Sequence, residues 1–395
     1  MTADPSATTS LVEPFATSVR RGVPLVWATG ADADLTALLG WGERFRATAS
    51  GPHRFAELDA AFRAFAAGRA DTAVAFVTVA FADDSTAPSV LVVPEVLGRW
   101  SGGVLHADGP LPRPTDPCEF EELDLRPGYL TREAFRRAVA AAVRRIEAGE
   151  VEKVVLARDL EASAPDPLDL GAVLARLQEA NPQSWTFHVD GLVGSSPEML
   201  VAVAGDHVRS QSLAGSAPVT GNTETDDLTE ARLAASAKDN AEHIYAARSV
   251  ADRLATVADV TALDPHVVRL PRIMHLATDI AGTLRSPLSA LEVAGIVHPS
   301  AAVCGTPTDV AFRVIAELEG FDRGRYAGPV GWVDASGDGE LVLALRCGQV
   351  SPDGTAIRLF AGGGVVAGSE PSAELAETAQ KFLPMYEALS PVARP

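Results

Sequence analysis

Cysteine is scarce in this sequence. Its 395 residues contain three, Cys118, Cys304 and Cys347, an odd number without metal-ligand spacing. That argues against a disulfide framework and a cysteine-bound zinc site, and it fits a reducing cytoplasm. Positive charge is also short, with 33 Lys and Arg against 52 Asp and Glu and a net charge of −19. So acidic a chain is not expected to bind nucleic acid or an anionic membrane surface. No stretch is long and apolar enough to span a bilayer. The first residues, MTADPSATTSLVEPFATSVRRG, lack the basic segment and apolar run of a secretory signal. Also missing are internal repeats, low-complexity tracts, a GxGxxG fingerprint, a Walker loop and a nucleophile–histidine–acid pattern. What is present is 47% hydrophobic residues, ample for a sizeable core, and 22% charged residues, too ordinary a share for disorder.

One stretch organises the rest, LFAGGGVVAGSEPSAELAETAQK at residues 359–381. It reads as a strand, Ala356 to Phe360, then a glycine turn at Gly362, Gly363 and Gly364, a second turn at Gly368 to Pro371, and a helix. Pro371 suits the first helical turn, and Ser369 or Ser372 could cap it. Glu374, Glu377 and Lys381 fall on one helix face. Two carboxylates and a lysine beside a glycine turn could hold a hard cation and an anionic ligand together. Glu377 and Lys381 are equally an ordinary surface ion pair.

The N-terminal third is expected to be scaffold, with strands at Leu25–Thr29, Thr72–Phe81 and Ser89–Val96, a helix at Ala56–Ala67 and a proline-rich connector at Asp108–Pro117. A helix from Thr131, its cap, to Ala148 ends at Gly149. The strand Glu152–Arg158 follows, and Lys153 at its start shares a face with Val155 and Ala157. Burial there would depress the lysine's pKa; a strand-end lysine can also snorkel to water. Glu198 follows a Ser-Ser-Pro turn and leads into the apolar strand Met199–Val203, where a carboxyl's pKa should rise as a general acid needs. Leu213–Pro218 reads as a small-residue turn that could present backbone donors. A long helix is expected from Asp227 to Thr256, with Ile244, Ala247, Val250, Ala251 and Leu254 buried and Asp239 and Glu242 on another face. His275 and His298 sit in apolar or turn segments, where a histidine is usually a hydrogen-bonded structural residue. Arg346, in the apolar run ELVLALRCGQ, needs a paired anion. The mixture of elements favours an α+β fold with a large, mainly antiparallel sheet.

Nine pieces in order resemble the chorismate-utilising enzymes: EAGEVEKVVLAR (147–158), SSPEML (195–200), SLAGSAP (212–218), AKDNAEH (237–243), MHLATDIAGTL (274–284), HPSAAVCGTP (298–307), RYAGPVGW (325–332), LALRCG (343–348) and AGGGVVAGSEPSAELAETAQK (361–381). The resemblance covers about residues 130–385. It implies one chorismate-binding domain with a large antiparallel sheet around a deep site, residues 1–125 being a variable scaffold and 126–390 the catalytic part. It implies Mg²⁺ held by Glu242 and Glu377, with Asp239 and Glu374 behind those ligands or close to that position, gripping the ring carboxylate of chorismate. It implies that Arg346 and Tyr326 bind the enolpyruvyl carboxylate, helped by Gly215, Ser216, Gly364 and Lys381, with His275 and Ala302 also lining the site. Lys153 stands where water-using members carry the lysine that activates water. Ala214 stands where aminodeoxychorismate synthases carry a nucleophilic lysine. Ala302 stands where salicylate-forming members carry threonine. The implied activity is that of an isochorismate synthase serving menaquinone or siderophore biosynthesis, with Lys153 as base and Glu198 as acid. The alternative is a salicylate synthase. A glutaminase subunit is not expected, and a monomer is.

Overall fold

A computed structural model describes residues 9–68, 73–116 and 123–390. Cys118, Thr72 and Pro117 therefore lie outside the described residues. Two antiparallel sheets carry the fold. In the first, strand order runs Thr9–Val12, Val104–Ala107, Val96–Ser101, Thr36–Trp41, Leu25–Thr29, Trp185–Val189, Leu192–Ser196, Cys347–Val350, Ala356–Val365, Lys153–Ser163 and Gly305–Thr306. In the second it runs Ala258–Ala262, Ile273–Leu284, His207–Pro218, Met199–Ala204, Gly339–Leu343, Pro329–Asp334, Val74–Thr78, Ser89–Val93 and Phe45–Ala49. The N-terminal third thus does not pack a sheet of its own onto the rest. Its strands hydrogen-bond into both sheets, through Leu25–Thr29 on Trp185–Val189 and Val74–Thr78 on Pro329–Asp334. One apolar cluster takes side chains from both, among them Leu156, Phe187, Val201 and Val330, all buried.

Local chemistry explains the elements that frame the site. The helix Arg132–Glu147 starts at Thr131, whose side chain accepts from the Ala134 N–H, and gives way to Gly149 at φ 74°. The helix Pro371–Leu389 opens on Pro371, where a missing N–H costs no hydrogen bond. Ser369 and Ser372 do not cap it: Glu370 holds the cap position without a side-chain bond, and the Ser369 hydroxyl accepts from Val366 N–H.

Three expected turns or helices differ. Gly362–Gly364 is no turn. The Ala356–Val365 strand runs through it, with Gly362, Gly363 and Gly364 opposite Ala157, Leu156 and Val155. Continuous pairing with the Lys153–Ser163 strand overrides glycine's weak strand preference. Leu213–Pro218 is likewise strand, the end of His207–Pro218, with a register shift between Ala214 and Ser216 around Gly215 at φ 75°. The long helix is two, Thr223–Ala235 and Ala237–Leu254, broken at Ser236, whose hydroxyl caps the second by accepting from Asp239 N–H. Within it Val250 and Leu254 are buried as expected, while Ile244 is 44% exposed, Ala247 and Ala251 are half-buried, and Ala246 completes the stripe. Arg346 lies not in a strand but between Gly339–Leu343 and Cys347–Val350, at φ 45°.

Candidate active site

The two sheets and the helices Ala237–Leu254 and Pro371–Leu389 enclose a cleft of about 640 Å³, counting its open mouth. Its floor is the glycine strand. Bare backbone there lets neighbouring side chains close in: a side chain on Gly364 would collide with the Glu242 carboxylate, and one on Gly363 would come within 3.3 Å of Glu374 Oε2 and 3.7 Å of Glu377 Oε1. Of the expected site residues, Glu198, Gly215, Ser216, Glu242, His275, Ala302, Tyr326, Arg346, Gly364, Glu377 and Lys381 line this one cleft. Lys153, Asp239 and Glu374 do not line it.

Lys153 sits directly behind the wall. It is fully buried, and its Nζ is 3.3 Å from Glu242 Oε1. That is close enough for charge pairing, but Nζ makes no aligned hydrogen bond among the described residues. Asp239 packs its Cβ toward Gly215. Glu374 is claimed by Lys238, Nζ to Oε1 3.0 Å. Burial and the nearby Glu377 charge raise its pKa, which Lys238 partly offsets.

Glu198 is the most perturbed carboxyl of the cleft. It is 5% exposed, and burial pushes its pKa up to about 7 despite the Leu213 N–H and the charges of Lys153, Arg346 and Lys381. Glu377 is the opposite case. Burial works against its charge, but Lys381, 2.6 Å away, wins and holds it below the usual range. Lys381 also donates to Gly362 O at 2.9 Å, so it is anchored to the glycine strand. Tyr326 stacks on Phe360, centroids 5.1 Å apart, and burial raises its phenol pKa, keeping the hydroxyl a donor. Burial lowers the pKa of Arg346, yet the arginine keeps a place in the cleft wall beside His275.

Sequence reading missed the brace that holds the Lys153 strand. Arg323 and Glu319 form a fully buried i, i+4 pair. Glu319 accepts from Ala157 N–H at 2.6 Å, and Arg323 donates to Val155 O and Val303 O, each at 2.8 Å. The pair thereby ties the backbone next to Lys153 to the backbone next to Ala302. An acid and an arginine four apart, Glu319 and Arg323, was the available signal. The Lys238 contact to Glu374 spans two helices and has no sequence signature.

The donor set suits a hard divalent cation. Glu242 and Glu377 offer carboxylate oxygens to the same cleft from two helices, over backbone stripped of side chains. Among the described residues no group of three acidic or imidazole side chains is already gathered as a metal site, and lysines pair with Glu242, Glu374 and Glu377. The described helices include none long and apolar enough to cross a membrane.

Comparison with known proteins agrees with this architecture. The sequence profile of the family described as chorismate binding enzyme matches residues 116–390. Isochorismate synthase DhbC of Bacillus subtilis is 36% identical over 329 residues, 78% of each chain. Isochorismate synthase EntC of Escherichia coli K12 is 35% identical over 309 residues, 76% of this chain and 78% of its own. The crystal structure of DhbC from Bacillus anthracis superposes with a TM-score of 0.80 at 30% identity, covering 92% of this chain and 96% of that one. Two antiparallel sheets around a glycine-floored cleft, with this match over more than half the sequence, place the chain in the chorismate-binding enzyme family.

Proposed function

We propose that this protein is an isochorismate synthase, converting chorismate to isochorismate by adding water at C2 and releasing the C4 hydroxyl. The observation that carries the reading is Glu198, a carboxyl pushed up to about 7 in a cleft that also presents Arg346 and Lys381 and has Lys153 behind its wall. A group that titrates near neutral pH can donate a proton and be recharged at modest cost. Glu198 gives its proton to the departing C4 oxygen. Lys153 takes a proton from the water that attacks C2 at the other end of the ring. The new C2–O bond forms as the ring double bonds shift and the C4–O bond breaks, so no redox partner is needed. Arg346, Tyr326 and Lys381 supply positive charge and donors for the enolpyruvyl carboxylate. Mg²⁺ would be held by Glu242 and Glu377, and when bound it supplies the charge that binds the ring carboxylate in so acidic a protein.

Ala302 lines the cleft with a methyl group that cannot hydrogen-bond, which favours release of isochorismate over further elimination to salicylate. Neither ammonia nor a glutaminase partner enters the reaction. The test is to incubate enzyme, chorismate and Mg²⁺, separate the products and assay pyruvate in a coupled reaction. Isochorismate in reversible equilibrium with chorismate is expected, abolished by a chelator and restored by added Mg²⁺. Stoichiometric pyruvate would make the protein a salicylate synthase, and full turnover in excess chelator would remove the metal from the account.

A further inference from the structure

We infer that His275 acts as a positioning residue for Arg346, holding that guanidinium in place while leaving its charge free for a substrate carboxylate. The inference rests on the proposed chorismate chemistry of the cleft. Arg346 sits at φ 45°, a backbone region uncommon for a residue with a side chain, in a segment between two strands. Its aim is therefore not set by strand geometry. A cation largely withdrawn from water, as half-buried Arg346 is, is ordinarily matched by a bonded carboxylate. Arg346 is not: Tyr326, Glu377, Glu198 and Cys347 act on it only through space. Its side-chain hydrogen bond among the described residues runs from Nη2 to His275 Nε2, 3.3 Å.

That bond dictates the histidine's tautomer. Arginine has donors and no acceptor, so Nε2 is the bare nitrogen and the proton lies on Nδ1. Nδ1 in turn faces the Gly215 carbonyl at 3.2 Å and the Ser216 hydroxyl at 3.1 Å. The register shift around Gly215 is what sets Ser216 opposite His275. The ring is thus fixed at both ends, and burial followed by the Arg346 charge keeps it neutral, with a pKa of about 3. The choice of a neutral acceptor has a consequence. A carboxylate at this position would hold Arg346 as well but cancel its charge, whereas an imidazole leaves the whole charge to the ligand.

The experiment is a steady-state double-mutant cycle with chorismate and Mg²⁺, each variant checked by its melting temperature. His275→Leu should raise KM about tenfold, the scale of one hydrogen bond to a charged group, with kcat moving less than about threefold. His275→Gln, whose side-chain oxygen reaches the Nε2 position, should recover most of the loss. His275→Asn keeps a donor toward Gly215 but is too short for Arg346, so it should behave like the leucine variant and guards against a folding defect in the latter. Arg346→Gln should raise KM at least as far, and adding His275→Leu to it should cost little more. Additive effects, or glutamine no better than asparagine, would overturn the positioning role alone. An unchanged KM in Arg346→Gln would instead overturn the substrate role of Arg346 and with it the reading of this end of the cleft.

Discussion

Replacing Glu198 with glutamine should remove a pH-dependent penalty from the fold along with the proton donor. The folded carboxyl has a pKa of about 7 against an ordinary 4.5, and burial is the main cause. Between those values the folded protein keeps a proton that the unfolded chain has released. Stability therefore falls as pH rises from 4.5 through about 7 and stays reduced above it. At ~1.4 kcal/mol per pH unit, the full penalty is on the order of 3 kcal/mol, most of it incurred between pH ~5 and ~8. With an unfolding entropy of ~2.1 cal/mol/K per residue over 395 residues, the full penalty is a shift in Tm of about 4 °C. Glutamine cannot ionise. The Tm of Glu198→Gln relative to wild type should therefore rise by about 3 °C from pH ~5 to pH ~8 in scanning calorimetry without substrate or metal. The activity carries the matching sign. A general acid must be protonated, so wild-type kcat/KM should fall as pH rises above about 7. The variant should lose ~10²–10⁴ in kcat together with that limb of the profile. A Tm difference that does not move with pH would refute the buried-acid argument, whatever the activity shows.

Lys153→Met keeps the volume of a fully buried side chain but removes the base, so kcat should drop ~10²–10⁴ with a smaller change in KM; turnover near the wild-type rate excludes Lys153 from the chemistry. Gly364→Ala places a methyl group against the Glu242 carboxylate and 2.9 Å from Lys153 Cε. It should cut kcat at least ~10²-fold while leaving the far-ultraviolet spectrum unchanged, since alanine is at home in extended backbone. Arg323→Met leaves the Glu319 carboxyl buried without its partner and should cost ~3–5 kcal/mol of stability, seen as a lower Tm. The double variant with Glu319→Gln should recover part of it, and a single variant as stable as wild type would show that the brace does not matter.

The α+β class, the antiparallel pairing and most element positions were legible in the sequence because they rest on local signals. Leu25–Thr29 is rich in β-branched and aromatic residues, Thr131 caps, and Gly149 and Pro371 punctuate. What misled was glycine. Gly362–Gly364 and Gly215 are turn formers by local chemistry; pairing with Ala157, Leu156 and Val155 makes the first a strand, and the Ile273–Leu284 strand holds Ala214 and Ser216 on either side of Gly215. The carboxylates Glu198, Glu242 and Glu377 were readable as a set because their segments resemble one family, and the structure gathers them at one cleft. The lysine partners of Glu242 and Glu374 could not be read, nor could the Glu319–Arg323 brace, since each depends on contacts between segments far apart in the chain. The helix break at Ser236 had a signal, a serine three residues before Asp239 whose hydroxyl caps the second helix.

The claim at the centre of the account is that water attacks C2 while the C4 hydroxyl leaves. The direct measurement is to run the reaction in heavy-oxygen water and locate the label by mass spectrometry. Isochorismate isolated at low conversion should carry one labelled oxygen, at C2, and none at the carboxylates. Unlabelled isochorismate would mean that the hydroxyl migrates within the substrate, and would contradict the roles given to Lys153 and Glu198.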